Sequence, residues 1–330
     1  MIIRPRRLRY NPVVRDLVRE TSLSVDDLVA AVFVRYGKNE KIPITSMPGF
    51  FQYSVDVLDE EIQEIVKLGI KAVIVFGIPE NQDHEGSDSY DDNGIIQRAI
   101  RKIKSIEPHL LVISDLCFCQ YTSLGHCGIT IEHNYRACVD NDKTLPLLAK
   151  QAVSHAKAGA DVVAPSGMLD GMVKAIRNAL DGEGFERIPI LSYAIKYRSA
   201  MYGPFGAAAG GAAKSGDRSG YQMDIANSNE ALKEAMLDIE EGADILMIKP
   251  AHTYLDIIYK IKQAYPYVPI AAYHPSGEYM MLKAAINIGA IDEKRSIIEV
   301  ITSIKRAGAN FIITYFAKDI AKWLQNSKIT

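Results

Sequence analysis

Cysteine is scarce in this sequence: four among 330 residues, three of them between Cys117 and Cys127. So uneven a placement does not look like the framework of a disulfide-stapled secreted domain; clustered thiols in a reducing compartment point to metal or catalysis. An excess of charge is also missing. With 38 basic against 40 acidic side chains the net charge is −2, which leaves no electrostatic footprint for nucleic acid or an anionic membrane surface. No apolar run approaches the roughly 18 residues of a membrane span, and the N-terminus "MIIRPRRLRYNPVVRDLVRE" lacks the apolar core of a secretory signal. Its arginines suggest a mitochondrial transit peptide, but Asp16, Glu20, Pro5 and Pro12 do not fit the acid-free amphipathic helix that such a peptide forms. The expectation is a cytoplasmic protein acting on a small, discrete ligand. Residues 1–10 read as a short arm lying on another surface, with a solvated basic tail as the alternative.

Hydrophobic residues make up 48% and charged residues 24% of the chain, the balance of an ordinary folded protein. Short β-branched runs alternate with stretches of helical period, the signature of βα units. The predicted strands cover residues 29–34, 71–77, 110–116, 161–166, 189–194, 244–250, 269–274 and 311–316. The segments "KAGADVVAPS", "EEGADILMIKP" and "RAGANFIITYF" repeat one module: a helix end, a glycine able to turn left-handed, and a buried strand. Modules of this kind without an intervening linker favour a single α/β domain over residues 11–330, a closed (β/α)8 TIM barrel, over a doubly wound open sheet.

In such barrels the active site forms at the C-terminal ends of the strands. Asp115, Ser166, Lys196, Lys249, His274, Ser276 and Tyr315 all stand at or just beyond predicted strand ends. Lys249 closes the interior strand "DILMI", where desolvation disfavours an ammonium, and a neutral amine can attack a carbonyl to form a Schiff base. Lys196 follows the neighbouring strand, and two close ammonium groups depress each other further. A lone strand-end lysine is ordinarily solvated or ion-paired; a pair on adjacent strands points to catalysis.

The loop "DLCFCQYTSLGHCG" carries Cys117, Cys119 and Cys127, with Gly125 and Gly128 letting the backbone turn back. Three thiolates would leave an open position on a catalytic zinc. The spacing alone leaves open inert thiols, redox-active thiols and a closed site with His126 as fourth ligand; Cys138 reads as a small apolar residue. Residues 203–224, rich in glycine and alanine, read as a lid over the barrel mouth or a flexible linker, with Arg218 and Gln222 as anion-holding groups.

With these residues assembled, the chain resembles the porphobilinogen synthase (5-aminolevulinate dehydratase) family, in its cysteine-rich, zinc-binding class. The blocks "SMPGFFQYS", "VAPSGMLDG", "SYAIKYRSAMYGPF", "GDRSGYQMD", "MIKPAHTYLDI", "YHPSGEY" and "KRAGANFIITYFAKDI" follow family order along essentially the whole chain. The resemblance implies condensation of two 5-aminolevulinate molecules to porphobilinogen with loss of two waters, an early step toward tetrapyrroles such as heme. It implies that Lys249 holds the P-side substrate as a Schiff base. Lys196 binds or activates the A-side substrate, a second Schiff base being one route. Asp115 contacts the reacting amine or moves protons, and Ser166 is a weaker pocket candidate. Ser276 and Tyr315 bind the P-side carboxylate, and Arg218 and Gln222 bind the A-side one. Cys117, Cys119 and Cys127 hold one catalytic Zn2+ per subunit, and His126 is not a ligand. The implied assembly is a homo-oligomer, octamer or hexamer, with the arm wrapping a neighbour.

Departures carry expectations of their own. The family commonly has an arginine where Gly206 stands, which implies a weaker hold on the A-side carboxylate, with Lys214 as a substitute cation; Gly206→Arg should then lower the A-side KM. Gly167 and Met172 replace an acid and an arginine. Ile239 stands where many bacterial relatives carry a glutamate of an allosteric magnesium site, so little magnesium stimulation is expected. Two other classes compete: a zinc-independent Schiff-base aldolase on the same barrel, and a non-enzymatic zinc-storage or scaffold protein.

Overall fold

A computed structural model describes residues 2–133 and 136–326. Met1 and residues 327–330, the ends of the expected arm and barrel segments, lie outside the described residues. Parallel strands run along the chain as β1 (Leu28–Arg35), β2 (Ala72–Ile78), β3 (Leu111–Leu116), β4 (Val162–Pro165), β5 (Leu191–Lys196), β6 (Ile245–Lys249), β7 (Ile270–His274) and β8 (Phe311–Thr314). Their lateral order is β4-β3-β2-β1-β8-β7-β6-β5. Each strand therefore lies beside its neighbours in sequence. The sheet closes between β4 and the start of β5, where Val163 bridges Ile190 and the Val163 N–H donates to the Pro189 carbonyl at 3.2 Å. The fold is the (β/α)8 TIM barrel expected from the strand count, with every strand within a few residues of its predicted position.

The repeated module explains why the strands start where they do. Helix Glu293–Ala307 is capped by Asp292, whose carboxylate accepts from the Arg295 N–H at 2.8 Å. Its buried face is Ile297, Val300, Ile301 and Ile304, the spacing of one helical stripe. Gly308 ends it at φ 129°, and Gly159 and Gly242, at φ 103° and 106°, do the same before β4 and β6. A side chain is strained at such angles, so glycine turns each helix back onto its strand.

Elements absent from the sequence reading decorate this frame. Lys41–Pro43 and Phe51–Ser54 pair with each other and extend the C-terminal end of β1. A hairpin of Thr130–His133 and Arg136–Val139 follows the cysteine loop. Gly203–Ala209, expected as loop, is helical, opened by Pro204. At the N-terminus the short helices Arg7–Tyr10 and Pro12–Leu17 carry no buried residue. None of the described helices is long and apolar enough to cross a membrane.

Candidate active site

β5 and β6 pair with an irregularity. Leu246 lies opposite Ser192, yet Ile248 lies opposite Ile195, so β5 carries one extra residue in between. A bulge of this kind re-aims the side chains beyond it. Its effect is to set Lys196 directly opposite Lys249. Both are almost fully buried, at 4% and 7% exposure, and Asp115 at the end of β3 is exposed by 7%. Lys249 Nζ lies 4.0 Å from the centre of the Tyr273 ring and 5.1–5.4 Å from those of Tyr202, Tyr193 and Phe205. Lys196 Nζ donates to the Ser166 carbonyl and lies 5.5 Å from the Tyr193 ring.

This setting moves the protons. Burial, and then the neighbouring Lys196 charge, pull the Lys249 ammonium down to about 7. Burial, and then the Cys117 sulfur, push the Asp115 carboxyl up to about 7 against the opposing pull of Lys249 and Lys196. An amine and an acid that both exchange protons near neutrality thus share one enclosed space, the arrangement needed for imine chemistry with proton transfer.

Beyond Asp115 the chain folds into a compact loop. The Tyr121 and Thr122 N–H groups both donate to the Phe118 carbonyl at 2.8 Å, and the Thr122 hydroxyl closes onto the His126 carbonyl at 2.7 Å. The turn places Cys117 Sγ 3.1 Å from Cys119 Sγ and 3.8 Å from Cys127 Sγ. All three buried sulfurs lie within 4.8 Å of one another, so they could hold a metal ion. A tetrahedral thiolate site with bonds of about 2.3 Å puts its sulfurs roughly 3.8 Å apart, so only small shifts separate the cluster from a metal-bound geometry. Donation from Cys117 and then Cys119 holds the Cys127 thiol well below its ordinary range. Behind the loop, the Gln151 amide donates to the Cys117 carbonyl at 3.2 Å and fixes the strand-to-loop junction.

The sequence profile of delta-aminolevulinic acid dehydratase matches residues 2–323. The chain belongs to the delta-aminolevulinic acid dehydratase family. It is 52% identical to the dehydratase of Halalkalibacterium halodurans, over 98% of each chain. It is 53% identical to that of Synechocystis, over 98% of this chain and 99% of the relative. Among solved structures, the delta-aminolevulinic acid dehydratase (porphobilinogen synthase) of Toxoplasma gondii, determined in complex with its reaction product porphobilinogen, superposes with a TM-score of 0.94 at 43% identity, covering 98% of this chain and 92% of that one.

Around the dehydratase centre, the lid is closed onto the cysteine loop. Phe205 of the lid helix enters the barrel mouth, 5.0 Å from Phe76 and 5.8 Å from Phe33 between ring centres. His126 has both ring nitrogens engaged, with Tyr221 Oη at 3.1 Å and the Ser215 carbonyl at 2.8 Å. It thus ties the lid down and offers the sulfur cluster no free nitrogen. The lid follows the loop so closely that a Cβ at Gly125 would meet the Ala212 carbonyl oxygen at 2.2 Å. Side-chain amides of Gln52 and Gln82 also hold the lid, donating to the Ala208 carbonyl at 2.6 Å and the Gly210 carbonyl at 3.3 Å.

The sequence-predicted dehydratase residues are not all brought together. Lys249, Lys196, Asp115, Ser166 and the three sulfurs converge. Tyr315 is one step removed, its hydroxyl 2.8 Å from that of Tyr273 beneath Lys249. The Ser276 hydroxyl accepts from the Phe205 N–H at 2.9 Å and so anchors the lid helix. Arg218 donates to the carbonyls of Gly125 and Gly211. Gln222 is buried with an unpartnered Nε2. His274, expected at the rim, packs 4.0 Å from Glu278, and burial lowers it to about 3. The substitute cation Lys214 does not fit its expected role: its ammonium is exposed and donates to Gln82 Oε1 at 2.6 Å. Sequence reasoning missed the aromatic wall of Tyr193, Tyr202, Tyr273 and Phe205. Its only linear trace is the bulky ring at interior positions of β5 and β7.

Proposed function

We propose that this chain is a hydro-lyase that condenses two 5-aminolevulinate molecules into porphobilinogen with loss of two waters, the family's activity. The observation that carries the reading is the buried pair Lys249 and Lys196, set opposite each other beside Asp115 and the sulfur cluster. As a neutral amine, Lys249 attacks the ketone of the P-side substrate, and the carbinolamine loses water to leave an iminium that activates the adjacent carbon. Asp115, titrating near neutrality, moves protons in the condensation that follows the iminium. Lys196, held by the Ser166 carbonyl, binds or activates the A-side substrate. The aromatic wall keeps water from the amine and favours the iminium charge.

Cys117, Cys119 and Cys127 would hold one zinc ion per subunit, and soft thiolate donors suit it. Bound there, zinc supplies a Lewis acid for the A-side carbonyl or amine. Ser276 and Tyr315 meet the P-side carboxylate, and Arg218 and Gln222 the A-side one, once substrate replaces the lid contacts that Ser276 and Arg218 make. The barrel domain over residues 11–330 works in a cytoplasmic homo-oligomer, octamer or hexamer, with residues 1–10 as its arm. Little response to magnesium is expected, because position 239 in the helix Glu230–Glu241 is an isoleucine.

The deciding experiment is incubation of reduced, zinc-supplied protein with 5-aminolevulinate and an assay for the pyrrole. Product formation abolished by zinc chelation is expected. Pyrrole formation that survives chelation would overturn the zinc site while leaving the reaction, trapping on Lys249 without any pyrrole would favour an aldolase-type enzyme, and failure to trap substrate on Lys249 with borohydride would favour a non-enzymatic role.

A further inference from the structure

A cleft of about 460 Å³ opens where the lid meets the barrel rim, lined by Arg198, Tyr202, Gly206, Arg218 and Gln222 among others. Gln222 gives the cleft a chemical bias: a buried N–H donor without an acceptor is costly, and an incoming carboxylate oxygen would satisfy it. The cations in and around the cleft are unequally available. Arg218 already spans two lid and loop carbonyls, and Lys214 is turned to Gln82. Gly206 contributes no side chain, and a Cβ there would make only ordinary van der Waals contact, nearest the Ala212 Cβ at 3.6 Å, so a side chain is sterically tolerated there.

Arg198 stands just beyond β5, two residues from Lys196, with its N–H donating to the Met223 carbonyl at 2.8 Å. Its guanidinium lies 3.1 Å from the Asp217 carboxylate, and the two side chains are 44% and 59% exposed. That ion pair demonstrates that a carboxylate can be held at this guanidinium, and so exposed a pair opens at little cost.

We propose that Arg198 is the specificity-determining cation for the carboxylate of the A-side 5-aminolevulinate, exchanging Asp217 for the substrate and supplying the charge that Gly206 lacks. The inference rests on the proposed function. A guanidinium suits the task because its planar fork matches a carboxylate with parallel hydrogen bonds, which an ammonium cannot do. Arg198 takes no part in the bond-making steps. It sets which second substrate is held, and how tightly.

The test uses the full-length, zinc-loaded protein and two readouts: the A-side KM from initial rates of pyrrole formation, and borohydride trapping of the first substrate on Lys249. Arg198→Ala should raise the A-side KM about tenfold or more, leave trapping at the wild-type level, and leave Arg198→Lys between the two. Arg198→Ala combined with Gly206→Arg should restore most of the loss, because the new guanidinium enters the same cleft. An unmoved KM in Arg198→Ala would overturn the assignment. So would a raised KM that Gly206→Arg does not restore, since Arg198 would then act only through its pairing with Asp217. Wild-type protein that makes no pyrrole would instead sink the proposed function itself.

Discussion

An amine that must attack a ketone at neutral pH cannot stay the ammonium ion that lysine ordinarily is. Lys249 titrates near 7 rather than at its ordinary 10.5, because the charged form is desolvated and faces a second ammonium. Below pH 7 the protonated form dominates, so the single-turnover rate of Schiff-base trapping should fall as pH falls through about 7 and level off above it. Lys196→Met removes the second largest cause of that depression and should move the midpoint upward; an unmoved midpoint would show that burial alone sets it. Asp115 is the reverse case, raised from its ordinary value of 3.8 to about 7, so it keeps a proton to give up to near-neutral pH. Asp115→Asn should lower kcat by roughly a hundredfold or more while substrate is still trapped on Lys249, as expected for a group that moves protons after the imine forms.

Among the elements, the bulge in β5 and the closed lid do most to assemble the site. Without the extra residue between Ser192 and Ile195, successive side chains would alternate faces and Lys196 would not stand opposite Lys249. The eight strands were legible in the sequence because buried β-branched runs and glycine-ended helices repeat with a regular period. The bulge was not, since it depends on the partner strand's register. The lid helix Gly203–Ala209 was hidden because small residues give no amphipathic stripe; Phe205 and the tie from its N–H to Ser276 hold it in place. His126 was legible as a neighbour of the thiols, but its grip on Ser215 and Tyr221, far along the chain, was not. His126→Ala should loosen the lid from the cysteine loop, speeding proteolysis within residues 210–220 and weakening zinc binding about tenfold, as loss of a supporting contact around a metal site does. Equal cleavage rates in variant and wild type would show that the Gln52 and Gln82 contacts to the lid suffice.

For the whole molecule, the unsolved balance is at the N-terminus. Helices of four and six residues, Arg7–Tyr10 and Pro12–Leu17, are too short to persist alone in water, because each carries the cost of nucleation with few hydrogen bonds to offset it. They also bury nothing against their own barrel: Ile3 is 88% exposed, Leu17 79% and Tyr10 69%. Apolar side chains in that state gain free energy only by covering another surface, at about 25 cal/mol per Å² removed from water. A second copy of the chain fits, with the exposed basic residues Arg4, Arg6, Arg7 and Arg9 placed to meet acidic groups on it. The exposed stretch continues past residue 10 through Leu17 with few partly covered positions, so the segment available for such docking is longer than the arm read from sequence. Removal of residues 1–17 should therefore convert the proposed homo-oligomer to a smaller species in light scattering, while circular dichroism and zinc content stay at full-length values because the helices Arg7–Tyr10 and Pro12–Leu17 bury no residue against the barrel. An assembly of unchanged mass would place the subunit interface on the barrel itself and leave these apolar residues with some other partner.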